Sequence, residues 1–227
     1  MALYLKNDAI FLHIPKTGGS FVSRILYDQG LVSYQIGGKH SDASHILVPP
    51  LGSKRPNRRP KEWLKYALAV RRLRRNPSPV LVHAVRNPYS WYESWFKYMS
   101  APDRAWRDWG TTGQPLDYHP NMELNGIRGD DFNAMMADMI EKQPAYVTRL
   151  YCRFGSFGNT RVLKLETIAQ DLCDLLDDIG AEYDRDKVLE EPPYWVSKKA
   201  PIEWDPKLRA RIAELDRAAF EIYGYTP

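Results

Sequence analysis

Cysteine is nearly missing from this chain of 227 residues: Cys152 and Cys173 are the only two, and neither falls in a CxxC or metal-ligand spacing. A disulfide scaffold and a cysteine-based zinc module are thereby excluded, and two reduced thiols are expected. No apolar run reaches the roughly 18 to 20 residues of a membrane-spanning helix. The first residues, Met1-Ala2-Leu3-Tyr4-Leu5-Lys6-Asn7-Asp8, put charge and an amide where a secretory signal needs an apolar stretch. Ser/Gly-rich linkers, internal repeats and low-complexity runs are missing as well. With 44% hydrophobic and 26% charged residues the composition is that of a folded domain and not of a disordered tail. The expectation is one cytoplasmic domain over residues 1–227.

Net charge is small except in one place. The formal net charge is +4, yet residues 54–75 hold ten Lys/Arg against the single acid Glu62, a net of +9 that leaves the remainder at −5. This describes a mildly acidic body carrying one basic block. Lys61 to Arg75 reads as a helix, with Pro60 at its start, Trp63, Leu64, Ala67 and Leu68 as its stripe, and arginines at its end. A solvated helix face is the expected role, with steering of an acidic acceptor as the alternative.

What is abundant is alternation of strand and helix signals. Ala9 to Ile14 is a short apolar run stopped by Pro15 and Gly18-Gly19. Phe21, Val22, Ile25 and Leu26 then recur at helical spacing as far as Gly30. Pro79 to Val85 predicts a second buried strand, and Asn87-Pro88 caps a helix running to about Met99. Gly37-Gly38 to Pro49-Pro50 is expected to be irregular, and Ala101 to Arg128 to be loops. Asp130 is read as the cap of a helix with Phe132, Met135, Met136, Met139 and Ile140 on one face. Arg161 to Leu165 reads as a third strand, feeding a helix from Ile168 to Ile179. Asp205-Pro206 opens a last helix that ends at Gly224. The alternation predicts an α/β fold with a central, mainly parallel sheet flanked by helices.

Pro15-Lys16-Thr17-Gly18-Gly19-Ser20 lies between the first strand and its helix. Glycines let backbone N–H groups approach an anion, the helix N-terminus adds its dipole, and Lys16, Thr17 and Ser20 add donors. A GxxxxGK[ST] nucleotide loop is not present, because the lysine precedes the glycines. A plain tight turn is the competing reading. The second strand ends at Arg86, whose planar fork suits a phosphate. Ser94 follows eight residues later in Trp91-Tyr92-Glu93-Ser94-Trp95-Phe96, on the helix face of Ser90, Trp91 and Tyr98.

The two motifs together resemble the sulfotransferases that use 3′-phosphoadenosine 5′-phosphosulfate (PAPS), nearest the carbohydrate branch of the heparan sulfate 2-O type and its bacterial relatives. The resemblance implies a P-loop-like three-layer fold. Residues 15–20 would be the 5′-phosphosulfate loop, and Arg86 with Ser94 the 3′-phosphate site. It implies sulfuryl transfer to a hydroxyl acceptor such as a carbohydrate, PAP (3′-phosphoadenosine 5′-phosphate) as product, no metal, no nucleic-acid partner, and Lys16 neutralising charge in catalysis. Leu163-Lys164-Leu165-Glu166 and the helix after Trp204-Asp205-Pro206 are similar to later elements of the family, whereas residues 100–160 match nothing and form the expected substrate side. The alternatives are a P-loop-type kinase and a polyanion-binding module built on the basic block.

The acceptor hydroxyl needs a base. His40, in Lys39-His40-Ser41-Asp42-Ala43, resembles the Lys-His-x-x-Ala segment that holds the family's presumed base, and His45 is second choice. Asp42 is a candidate to orient the ring and Lys39 to neutralise sulfate. His13 and His83 fall in buried strands, where a structural role is expected, and His119 has no supporting context. Trp91 and Trp95 are read as core, and Trp106 and Trp109 as free to bind. Met135, Met136 and Met139 are core filler, and Ser197-Lys198-Lys199 an ordinary basic loop.

Overall fold

The computed structural model describes residues 2–36, 40–42, 71, 75, 79–103, 106–110, 119–155, 159–193 and 201–227. Its sheet has five strands: β1 (Ala2–Leu5), β2 (Ala9–Leu12), β3 (Val32–Ile36), β4 (Val80–Val85) and β5 (Thr160–Lys164). They lie in the order β3-β1-β2-β4-β5. β2 pairs parallel with β4, and β4 with β5, while β1 runs antiparallel to both β2 and β3. The sheet is therefore mixed, which corrects the expectation of a mainly parallel one. The cause is local. Residues 6–8 reverse the chain so tightly, with Asp8 at φ +60° and its carboxylate accepting from the Tyr4 hydroxyl at 2.6 Å, that β1 and β2 close as a hairpin.

Eight helices are described: α1 (Gly19–Asp28), α2 (Pro88–Met99), α3 (Phe132–Lys142), α4 (Tyr146–Gly155), α5 (Ile168–Asp178), α6 (Arg185–Glu190), α7 (Pro206–Leu215) and α8 (Arg217–Ile222). Alternation along the strands feeds two cores. Tyr4, Ile10, Leu12, Leu81 and Val85 face Trp91, Trp95, Met135, Met139, Leu150, Phe154 and Phe220. Leu3, Phe11, Val82 and Ala84 face Val22, Leu26, Leu172 and Leu176. Helices thus cover both sheet faces, as the period-two and period-3.6 patterns require.

The caps are where the sequence puts them, with one shift. Asn87 accepts from the Tyr89 amide, and Asp205 from Lys207 and Leu208. The α3 cap is Asp131, one residue past Asp130, accepting from Ala134. The long last helix is broken in two at Asp216, a buried carboxylate that accepts from the Tyr92 hydroxyl at 2.7 Å and the Thr148 amide at 2.8 Å. Burial pushes its pKa up. Within the segment expected to be loops, Pro120–Leu124 forms a 3-10 turn capped by His119.

Neither Cys152 nor Cys173 takes part in a disulfide. Among the described residues no helix is long and apolar enough to cross a membrane. The basic block lies outside the described residues except for Arg71 and Arg75, which are helical and exposed. The stretch 43–50 also lies outside them.

Candidate active site

β2 ends at Leu12 and β4 at Val85, and the two run side by side in parallel with Leu12 opposite His83. Their following segments, His13 to Gly18 and Arg86 to Pro88, therefore leave the same edge of the sheet. Ligands of open α/β sheets bind at such carboxyl edges. The Trp91 indole N–H, in the first turn of α2, donates to the Pro15 carbonyl at 2.9 Å and locks the two segments together.

The glycine turn is held in an unusual backbone shape. Lys16 has φ +68° and Gly18 φ +85°, both left-handed. For lysine this conformation costs roughly 1 kcal/mol, so the surrounding contacts must enforce it. Thr17 is fully buried and donates its hydroxyl proton to the Ile14 carbonyl at 3.0 Å. That hydroxyl proton is committed to the loop, where it shapes the turn. Gly18 precedes α1, and among the described residues no side chain caps the first-turn N–H groups at Gly19 and Ser20. A Cβ at Gly19 would lie 2.3 Å from the His13 ring, which makes glycine obligatory there. The Lys16 ammonium sits 4.3 Å from the centre of the Tyr98 ring, over its face.

Arg86 is half-buried, and its backbone is pinned from both sides. Its N–H donates to the Tyr151 hydroxyl at 3.1 Å, and that hydroxyl donates back to its carbonyl at 2.7 Å. Next to it the Asn87 amide donates to Glu166, whose other oxygen accepts from Tyr225. Burial pulls the Arg86 guanidinium below its ordinary pKa, while Tyr151, Glu166 and Glu93 act in the opposite direction. Among the described residues no carboxylate forms an ion pair with it. A cation drawn out of water without an ion pair favours an incoming anion. Ser94, half-buried, stands three residues after Trp91 and four before Tyr98, on the helix face that meets the loop.

His40 lies beside this loop. Its Nδ1 is 3.0 Å from the His13 carbonyl. A carbonyl only accepts, so Nδ1 carries the proton and Nε2 the lone pair, which is the tautomer of a base. Burial lowers the His40 pKa well below its ordinary 6.5, and the imidazoles of His13 and His119 lower it further. The ring is thus neutral near pH 7. Asp42 is buried, but the ring is oriented at Nδ1 by a backbone carbonyl and not by that carboxylate.

Sequence reasoning missed the company His40 keeps. The His13 and His119 rings lie edge-on to it at 4.8 and 4.5 Å. His119 is stacked on Trp109 at 4.1 Å, and Trp109 on Tyr98 at 6.4 Å. Trp109 is not free to bind, since it supports His119 and carries the Arg107 guanidinium at 4.2 Å. Trp106 packs on Phe96. Nothing in local periodicity signals this cluster. His83 is buried in β4 outside this cluster, with the Tyr223 ring edge-on to it at 6.4 Å, and burial lowers its pKa to about 4. His45, Lys39 and Ser197 to Lys199 lie outside the described residues. Among the described residues no group of three or more His, Cys, Asp or Glu is arranged to hold a metal ion. A groove of about 820 Å³ runs along β5, α5 and the end of α8, and its lining includes none of Lys16, His40, Arg86 or Ser94.

No protein-family model, curated protein or solved structure matches the chain.

Proposed function

We propose that this chain is a sulfotransferase that moves the sulfuryl group of PAPS to a hydroxyl acceptor, a carbohydrate being the favoured class, on a P-loop-like α/β fold. The observation that carries the reading is the junction of the two anion-binding segments: β2 and β4 adjacent and parallel, with Trp91 bonded to Pro15 across their ends. The residues present fit the donor. The uncapped start of α1 and the Lys16 ammonium suit a phosphosulfate, while Arg86 and Ser94 suit a terminal phosphate.

In this reading His40 Nε2 takes the proton of the acceptor hydroxyl as that oxygen attacks sulfur. The bond between sulfur and the bridging oxygen breaks, and the departing phosphate keeps the electron pair. Lys16 and the amides of Gly19 and Ser20 stabilise the charge that builds on the sulfuryl and phosphate oxygens. The Arg86 guanidinium holds the far end of the donor and so fixes its direction of approach. Products are PAP and the sulfated acceptor.

Thermal unfolding with nucleotides tests the donor. PAP at a hundredfold excess over its Kd stabilises the native state by about 2.7 kcal/mol, whereas ATP does so much less. Equal stabilisation by both favours the kinase reading, and no stabilisation by either removes the donor assignment. Transfer from labelled PAPS across an acceptor panel then identifies the acceptor.

A further inference from the structure

We propose that His119 is a positioning residue for His40, the two rings working as a pair of opposite tautomers. The inference rests on the proton-abstraction role given to His40 above. His119 Nδ1 accepts from the Asn121 amide at 3.1 Å. A backbone N–H only donates, so the neutral His119 ring carries its proton on Nε2, the reverse of His40. Its face is stacked on Trp109 with 17° between planes, and it is only 8% exposed. Trp109 is in turn clamped by Asn125, whose carboxamide accepts from its amide at 2.9 Å and donates to its carbonyl at 2.8 Å.

These contacts close a circuit. Lys16 lies over Tyr98, Tyr98 stacks on Trp109, Trp109 on His119, and His119 meets His40 edge-on. His40 bonds to His13, three residues before Lys16. The base and the loop lysine are therefore set by one aromatic ladder, and a ring fixed on two sides cannot rotate its Nε2 away. The circuit also keeps the base ready. A proton added to His40 meets the imidazoles of His13 and His119, with a smaller contribution of the same sign from the amino-terminal charge. Asp42 is the nearest acid in its own segment, two residues on.

The test uses the full chain and two variants. His119→Asn keeps an oxygen acceptor for the Asn121 amide but removes the ring. Trp109→Leu keeps the ring but removes its shelf. In both, kcat falls about tenfold or more, and in His119→Asn PAP affinity stays within about twofold. The acid limb of the rate profile moves to higher pH in His119→Asn, which removes the second imidazole and lessens the burial of His40, two changes of the same sign. Nitrogen-15 NMR of the His40 ring without substrates gives a second reading: the Nδ1–H tautomer in the parent chain, and titration at higher pH in His119→Asn. Folded His119→Asn with unchanged kcat and unchanged His40 titration overturns the proposal. A parent chain that transfers nothing from PAPS removes the sulfotransferase reading, and the NMR arm still decides the histidine pair.

Discussion

The Trp91 indole N–H donates to the Pro15 carbonyl at 2.9 Å, and through that bond the first turn of α2 fixes the glycine turn after β2. Both groups are buried. Trp91→Phe keeps an aromatic side chain but removes the indole donor, leaving the Pro15 carbonyl unsatisfied at a cost of about 1–3 kcal/mol, to which the smaller ring adds a loss of packing. Urea denaturation measures the loss, and PAP affinity falls with it because the loop is no longer held. Full PAP affinity in a destabilised variant would show that the bond serves stability alone.

Gly19→Ala strikes the same loop from within. The new Cβ meets the His13 ring at 2.3 Å, and that ring is buried with little room to move. Overpacking of this kind costs about 1–3 kcal/mol. Since the His13 carbonyl sets the His40 tautomer, turnover falls more than stability alone explains, as single-turnover kinetics on the folded variant would record.

Lys16→Ala and Arg86→Ala separate the two ends of the donor. Each removes charge-assisted hydrogen bonds to a phosphate, worth about 1.5–3 kcal/mol. PAP binding by calorimetry weakens in Arg86→Ala by about ten- to a hundredfold, and Arg86→Lys restores little because an ammonium lacks the planar fork. In Lys16→Ala the larger loss falls on kcat. Equal losses of kcat in the two variants count against the assignment of ends.

His83 gives the fold an acid limit. Burial lowers its pKa to about 4 from an ordinary 6.5. Between those values the unfolded chain takes up a proton that the native ring refuses, so stability is full above about pH 6.5 and is lost as pH falls toward 4. The total is about 3 kcal/mol. His83→Leu flattens this part of the stability curve, which denaturant titrations at several pH values would reveal.

Asp216 joins four helices, accepting from Tyr92 in α2 and Thr148 in α4 at the break between α7 and α8. Asp216→Ala strands two buried donors and costs about 3 kcal/mol. Asp216→Asn, which keeps one acceptor oxygen, costs less. Equal melting of the alanine variant and the parent chain would falsify this role.

Elements with a full period of local signal are readable from the chain. α2 starts at Pro88 behind its Asn87 cap because those two residues do the same work in any context, and Met135, Met136 and Met139 are buried as their spacing requires. Two missed elements carried a signal all the same. Val32-Ser33-Tyr34-Gln35-Ile36 alternates as β3 does, and Tyr146, Val147, Leu150, Tyr151 and Phe154 repeat as α4 does. β1 carried none, since four buried residues are too few to show a period. Its direction, which makes the sheet mixed, depends on the turn at Asp8 and on pairing with β2 and β3.

The sequence by itself determined the strand–turn–helix units, their caps, and the residue types at the ends of β2 and β4. Those follow from backbone conformation and side-chain periodicity within a few residues. Only the tertiary structure decided that these two ends lie side by side, that the Thr17 proton belongs to Ile14, and that His13, His40 and His119 meet. Such contacts join segments far apart in the chain. They are set by how helices cover a twisted sheet, which no local pattern records.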